Sequence, residues 1–537
     1  MRFYWSDEFM KHLDVGGSPM FAMDFDDDIG LGEFGAALPV RLVLHSHGVS
    51  AGDNHIPHAI ESVSGSGQSV SIRQWGNRFG SLTLRLAGVD VAELVARRIP
   101  MGLPCKFKVG FDDMSFDDWE TVGIYRFDGL TGSRNRWQMK FGDLGKVLQA
   151  AISRTTTSST AIFTEFETSN AISSKFNPGV GGFTISANPA TGVSGLVKDA
   201  DTGARGLLYC QRTDGAGDPF YLKYTGISGL TITPVHHDVM GTVRPTYFEG
   251  DPPALVDADH KIEHVNYIHD DLPRLVEKFL LDDGDPAGSM PDGHNMGFQR
   301  EGLFNSPDWD LWRTRWETYS SFKADLYTLK TAQNPYRILG KTMAELGAWL
   351  VMKEGRLSWR FAYDIGPTSP VKVDHDFEIV DQDIISVDRY ELFSSDAREQ
   401  VVALRFLDGV RYTFVTANPA IGDRVEDKRA DAVVYDDDVD TSNRANAKIN
   451  LEDRLSNWYT SIPDTLTLNL RGWRWLHMVP GDVALVNSEY IPDLFAREGG
   501  TKLTDQRFMV TSVNCNWQDF SCTVELSRPR FLSAFSS

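Results

Sequence analysis

Strand-like and helix-like patterns occupy separate stretches of this 537-residue chain and do not alternate with each other. Parallel α/β folds require alternation, because each parallel strand needs a crossover connection that is usually a helix. A doubly wound sheet and a (β/α)8 barrel are therefore not expected. The pattern predicts a mainly β fold with an α part. We divide the chain into an N-terminal arm (1–37), a first β domain (38–155), an inserted small β module (156–247), a helical linker domain (248–355) and a second β domain (356–537).

Alternating and β-branched runs define the two β domains. The first has predicted strands at 38–46, 69–75, 82–86, 105–111, 123–128 and 137–141 and two short helices at 91–98 and 144–152. The second has predicted strands at 357–363, 401–406, 412–415, 465–470, 483–486 and 508–513, one helix at 444–458 and a terminal hairpin. Between them, residues 156–247 are rich in Ser, Thr, Gly and Asn, which is typical of a separate module.

The helical segment carries three predicted helices. The first spans 271–281 and has one apolar face, formed by Leu272, Leu275, Val276, Phe279 and Leu280. Ser306-Pro307 begins the second, because proline is favoured at the first helical position. The third is predicted over 343–352 and ends before Gly355.

Charge and cysteine content narrow the possible functions. There are 74 acidic and 53 basic residues, and the net charge of −21 argues against binding along a nucleic-acid backbone. Like charge does, however, let DNA move past a surface without adhering to it. Four cysteines exclude a disulfide scaffold. No signal-peptide run and no membrane-spanning window occur, so we expect assembly in the cytoplasm.

Three phosphate or metal motifs are present only in part. Residues 30–35 match G-x-G-x-x-G, but Pro39 and a β-rich run follow where a helix is needed. Residues 340–342 end a Walker A motif whose first glycine is replaced by Pro335. The acidic run 24–28 lacks the glycine and glutamate of a calcium loop. We expect a solvated acidic loop there and no cofactor.

Histidines form the main candidate metal site, with a second, looser set at His260, His264 and His269. His45, His47, His55 and His58 lie within fourteen residues, and the first two share one face of a strand. Imidazole nitrogens are common metal ligands, but solvated loop histidines explain the pattern equally simply. No nucleophile or metalloprotease motif accompanies them, and no catalytic residue is predicted.

A tryptophan stripe and a cysteine pair are each compatible with a structural role or a functional one. Trp309, Trp312 and Trp316 form an aromatic stripe on the second helix, which is typical of a core or interface but also of a carbohydrate platform. Cys515 and Cys522 are placed symmetrically about the turn at 518–519, so we expect them to face each other across the terminal hairpin.

An ordered set of segments resembles the tail-hub, or baseplate-hub, proteins of long-tailed bacteriophages and related tail-like particles. The set comprises the strand pair and turn of 123–130 and 136–144, the helix 271–281, the segment 354–361, the turn Pro480-Gly481-Asp482 with its strand, and 507–513. The resemblance covers 38–153 and 255–537. It implies that the two β domains are β-barrels and that the chain is structural and not an enzyme.

The resemblance further implies a homotrimer whose six barrels form a ring at the tail tip. Such a ring joins the tail tube to the tip and central fibre, contacts the distal tail ring protein and the C-terminus of the tape-measure protein, and lines an acidic channel for passing DNA. Leu275, Phe279 and the turn Pro480-Gly481-Asp482 are the candidate assembly residues. A carbohydrate-binding adhesin or receptor-binding tail protein is the alternative function, and a hydrolase is the third.

Overall fold

The fold is known from a computed structural model. It describes residues 18–25, 41–48, 54–72, 74–133, 136–143, 267–281, 300–319, 322–327, 335–363, 375–391, 399–406, 411–415, 424–430, 441–460, 463–493 and 502–529, the backbone of strands at 166–171, 183–184, 206–212, 220–228, 231–237 and 260–265, and single residues between these. The described chain is mainly β with a few helices, as predicted. No helix in the described part is long and apolar enough to cross a membrane.

The first β unit is built from strands near the N-terminus. Its described strands are β1 Met20–Phe25, β2 Leu42–His45, β3 His55–Ile56, β4 Ile60–Ser66, β5 Gln68–Val70, β6 Asn77–Arg78, β7 Ser81–Leu86, β8 Pro104–Gly110, β9 Glu120–Ser133 and β10 Arg136–Asp143. Eight of them form one sheet in the order β3-β2-β1-β8-β9-β10-β7-β4. Alternation along β7 buries Leu82, Leu84 and Leu86, and helix α1 (Val89–Arg98) buries Ala92 and Val95. The helix ends before Pro100, as predicted. The second helix predicted in this domain, at 144–152, lies mostly outside the described residues.

Strand β1 corrects the prediction of an irregular arm. Its six residues are all buried in the middle of the sheet, so no polar and apolar alternation marked them as a strand. Asp24 is the one charged residue of this buried strand, and its carboxylate is neutralised by an ion pair. Arg41 donates from Nε and Nη2 to that carboxylate at 2.9 and 2.6 Å. The predicted acidic loop therefore does not include Asp24, and residues 26–28 lie outside the described part.

The inserted module contains a six-stranded sheet. Its strands are β11 Phe166–Ala171, β12 Phe183–Thr184, β13 Gly206–Arg212, β14 Phe220–Ser228, β15 Thr231–His237 and β16 His260–Val265, in the order β11-β16-β13-β14-β15-β12. Strand β16 lies beyond residue 247 in the sequence but pairs with β11 and β13.

The middle segment combines helices with two antiparallel strand pairs, of which one is a hairpin. Its elements are β17 Tyr267–Asp270, α2 Leu272–Leu280, α3 Arg300–Leu303, α4 Ser306–Tyr319, β18 Ala324–Tyr327, α5 Pro335–Glu345, β19 Ala348–Lys353 and β20 Arg356–Phe361. Helices α2 and α4 begin where predicted, and the Asp271 carboxylate caps α2 by accepting from the Arg274 N–H at 3.0 Å. The helix predicted over 343–352 is wrong. Helix α5 ends at Glu345, and β19 turns into β20 at Glu354-Gly355, whose positive φ angles of 52° and 78° suit a tight hairpin.

The second β unit closes the chain. Its described elements are β21 Phe377–Val380, β22 Ile384–Glu391, β23 Glu399–Phe406, β24 Arg411–Val415, β25 Arg424–Ala430, α6 Thr441–Thr460, β26 Asp464–Arg471, β27 Val483–Pro492, β28 Lys502–Asn516 and β29 Ser521–Arg528. The main sheet has the order β21-β27-β28-β29-β26-β22. Strands β5 and β6 of the first unit join this sheet, because β5 pairs with β28.

Both large sheets remain open among the described residues. The end strands of the first, β3 and β4, are consecutive in the chain, and so are β21 and β22 of the second. Ala59 lies between β3 and β4, donates its N–H to the His45 carbonyl at 2.7 Å and accepts from the Ala87 N–H at 2.9 Å. No strand ladder joins the ends of either sheet. The prediction of two closed barrels is therefore not confirmed.

Candidate functional site

A buried ionic junction connects the helical segment to the second β unit. Arg360 of β20 is completely buried, and its guanidinium binds two carboxylates. Nη1 lies 2.7 Å from Asp308 on α4, and Nε lies 2.8 Å from Asp482 in the turn before β27. The guanidinium also stacks 4.4 Å above the Trp312 ring. One arginine thus joins three parts of the chain that are far apart in sequence.

Lys353 balances the charge of this junction. Its ammonium donates to the His477 carbonyl at 2.5 Å and lies 3.5 Å from Asp482. Burial alone lowers the pKa of Lys353, but the carboxylates of Asp482 and Asp308 outweigh burial and raise it. Burial likewise raises the pKa of Asp308, and Arg360 overrides it so that the net shift is downward. Lys353 and Asp308 therefore remain charged in the core, as does Arg360, whose pKa the carboxylates raise further.

Each residue of the Pro480-Gly481-Asp482 turn has a contact inside the chain. The Pro480 carbonyl accepts from the Trp349 indole N–H at 3.1 Å. Gly481 has a φ of 104°, and a Cβ there would lie 2.6 Å from Cβ of Arg360 and 2.7 Å from the Trp349 ring. Asp482 also accepts from the Val479 N–H at 3.0 Å. The turn that was predicted as an assembly element therefore docks on the β19–β20 hairpin.

The predicted apolar helix face is also covered within the chain. Leu275 and Phe279 of α2 are buried in the central core. Glu277 on the same helix is buried as well, and its Oε1 accepts from the Trp309 indole N–H at 2.7 Å. This bond fixes α2 against α4.

The tryptophan stripe of α4 faces that core. Trp309, Trp312 and Trp316 are at most 1% exposed. They pack on the aromatic residues of β20, with Trp316 5.7 Å from Trp359 and 5.2 Å from Phe361 between ring centroids. In this position the rings are not available to a soluble carbohydrate.

The first β unit contacts the same junction through its short strands β5 and β6. Gln68 of β5 donates to the Met352 carbonyl at 2.7 Å and accepts from the Met352 N–H at 2.9 Å. Asn77 of β6 donates to the Leu350 carbonyl at 2.6 Å. At the hairpin turn, Gly355 lies against the backbone of Ile124, where no side chain fits. Both β units and the helical segment therefore meet at the β19–β20 hairpin.

The candidate metal histidines separate into a pair and two single residues. His45 is buried, and its Nε2 lies 2.7 Å from Nδ1 of His55, with Phe116 packed edge-on to both rings. His47 is exposed and its ring bonds Ser46, and its carbonyl accepts from the N–H of His58, which has a φ of 52°. No group of three or more potential ligand side chains suited to a metal ion occurs in the described residues. This arrangement is a hydrogen-bonded imidazole pair.

Acidification is expected to destabilise the protein through this histidine pair. Burial, with a smaller contribution from His55, lowers the pKa of His45 from 6.5 to about 4. The unfolded chain therefore binds the proton more readily, and stability falls as the pH drops from 6.5 to 4. Urea unfolding at several pH values measures the slope. His45→Phe should flatten it, whereas the exposed His47→Phe should not, and equal slopes in the two variants would contradict the assignment.

The charges of the junction are not among the residues predicted from the sequence. Lys353 ends the apolar run of β19, and Arg360 lies between two aromatic residues of β20; a charge in such a setting indicates a buried partner. That signal was available, but Asp308 and Asp482, their carboxylate partners, lie in other elements. Nothing local in the sequence connects them.

Structural comparison finds similar solved proteins, whereas no protein-family model and no curated protein matches the chain. A tail protein from Neisseria meningitidis MC58 is 10% identical with a TM-score of 0.36, covering 87% of this chain and 96% of its own. The 43-kDa tail protein of prophage MuSo2 from Shewanella oneidensis has the same identity and TM-score, with 87% and 94% covered. A prophage tail protein from Listeria monocytogenes EGD-e is 8% identical with a TM-score of 0.33, covering 94% of both chains. All three matched structures are tail proteins, and two of them come from prophages.

Proposed function

We propose that this chain is a structural tail-hub protein, placed at the tip of a phage tail as a homotrimeric ring. The ring joins the tail tube to the tip and central fibre and lines an acidic channel through which DNA passes. Its neighbours are the distal tail ring protein and the C-terminus of the tape-measure protein. It is assembled in the host cytoplasm and remains in the virion.

The observation that carries this proposal is the convergence of the segments on which the resemblance rests. The strand pair at 123–144 meets the hairpin turn at Gly355, and the same hairpin binds Asp482 through Arg360. The Asp482 carbonyl accepts from the Val510 N–H at 2.8 Å, which connects the strand at 507–513. Motifs spread over most of the chain thus build one junction.

The construction of the junction is also consistent with a protein whose role is structural. Its buried ion pairs and tryptophans hold two β units and a helical segment together. The net charge of −21 supports the channel part of the proposal, because a carboxylate-rich lumen does not retain a polyanion. A ring of three chains, each with two β units, would match a sixfold tube to a threefold tip.

Immunogold electron microscopy tests the location. Particles induced from the source culture are labelled with an antibody to the purified chain, and antibody pre-absorbed with that chain is the control. We expect gold at one end of the tail. Gold along the shaft, on the head or on no particle contradicts the tail-hub proposal, and light scattering of the purified chain tests the trimer separately.

Two activity assays decide between this proposal and its alternatives. A receptor-binding protein predicts glycan binding that is lost on deletion of residues 156–247. A hydrolase predicts cleavage of peptidoglycan at enzymatic rates by the purified chain. The structural proposal expects neither, and either activity would overturn its purely structural form.

A further inference from the structure

The terminal hairpin brings two cysteine thiols into direct contact. Cys515 of β28 and Cys522 of β29 are register partners, as the symmetry of the sequence about the turn predicted. Their Sγ atoms are 2.7 Å apart, and both cysteines are free. Partners in an antiparallel pair have Cα atoms about 4.5 or 5.5 Å apart, which falls within the range that a disulfide spans. No change of register is needed to bond them.

The two thiols differ in how accessible they are. Cys522 is 1% exposed, whereas Cys515 is half-buried. Cys515 also lines a cavity of about 90 Å³ together with Tyr125 and Trp517. A small reagent therefore reaches Cys515 first, and Cys522 lies behind it.

The hairpin that carries the two cysteines belongs to the second β unit and also contacts the first. Strand β28 pairs with β5 through Ser512 and Val513, directly before Cys515. At the tip, the Trp517 ring packs edge-on against Phe107 of the first β unit, with 5.5 Å between centroids. A covalent bond across the hairpin would hold this tip in its docked form.

We propose that Cys515 and Cys522 are a redox site that closes to an intrachain disulfide when the protein meets a low-molecular-weight disulfide. The Cys515 thiolate attacks one sulfur of the reagent, forms a mixed disulfide and releases one reagent thiol. The Cys522 thiol then loses its proton and attacks Sγ of Cys515, releasing the second reagent thiol. The two cysteines are oxidised by two electrons, and the reagent disulfide is reduced to two thiols. This proposal does not depend on the tail-hub function.

Mass spectrometry of the full chain treated with 2-hydroxyethyl disulfide tests the proposal. The tryptic peptide 508–530 contains both thiols and no other cysteine. We expect it to become lighter by two hydrogen atoms and to resist alkylation until it is reduced. Thermal unfolding of the oxidised protein should shift upward by about 2–5 °C, because the bond closes a short loop. A peptide that retains two alkylatable thiols would overturn the proposal.

Single variants test the order of attack. Cys522→Ser should stop at a mixed disulfide on Cys515, and Cys515→Ser should leave Cys522 unmodified. Cys105→Ser, at a buried cysteine in β8, is the matched control and should close the bond normally. Circular dichroism confirms that each variant is folded. Modification of Cys522 in the Cys515→Ser variant at the wild-type rate would contradict the assigned roles.

Discussion

Replacing Arg360 by methionine is expected to lower the free energy of unfolding by about 3–5 kcal/mol, because the change leaves buried carboxylates without their cation. Asp308 and Asp482 both bind the guanidinium, and both are buried. Lys353 remains, but it bonds mainly to the His477 carbonyl. Methionine fills a similar volume, so the loss measures the charge and not a cavity. Urea unfolding at neutral pH gives the value.

Arg356→Met is the matched control for this change. Arg356 lies on the same strand and is exposed, so its replacement should alter stability by less than about 0.5 kcal/mol. Equal losses in the two variants would show that the junction does not hold the units together. The low pKa of Asp308 supplies a second test, since its paired charge stabilises the wild type above the ordinary carboxyl pKa. In Arg360→Met the destabilisation should shrink as acid protonates Asp308.

The elements that were predicted correctly all carry a local signal. Helix α2 has a capping aspartate and one apolar face, and α4 begins at a serine followed by proline. The terminal hairpin is marked by cysteines placed symmetrically about its turn. Signals of this kind depend on neighbouring residues, so the sequence alone is sufficient to find them.

Two of the elements that were missed, β1 and β19, are buried on both faces. Strands β1 and β19 have six consecutive buried residues each, so the alternation that distinguishes a half-buried strand is absent. A short apolar run fits a buried helix and a buried strand equally well by periodicity. For β19, the positive φ of Gly347 ends α5, and only that break favours the strand.

The junction was not predictable as a site, although part of it was named. The turn at 480–482 is predicted as an assembly element because the order of such segments along the chain resembles that of a family. The sequence does not show which residues it contacts. Its partners are Trp349 and Arg360, more than a hundred residues earlier. Long-range pairing of single charges has no periodicity, and so it requires the folded structure.

Replacing Gly481 by alanine should be the second large destabilisation, about 2–4 kcal/mol, because it combines backbone strain with a steric clash. The φ of 104° is one that side chains rarely adopt, and the new methyl would press on Arg360 and Trp349. Neither neighbour can yield, since Arg360 is held by two carboxylates and the Trp349 indole bonds the Pro480 carbonyl.

Gly340→Ala is the matched control and should act in the opposite direction. Gly340 lies within helix α5 with open space around its Cβ position, so alanine should stabilise by about 0.5–1 kcal/mol. Thermal and urea unfolding of both variants measure the difference. If Gly481→Ala were as stable as the wild type, the close docking of the turn on the hairpin would be refuted. If it instead loses stability together with trimer formation, the integrity of the junction is a condition for assembly.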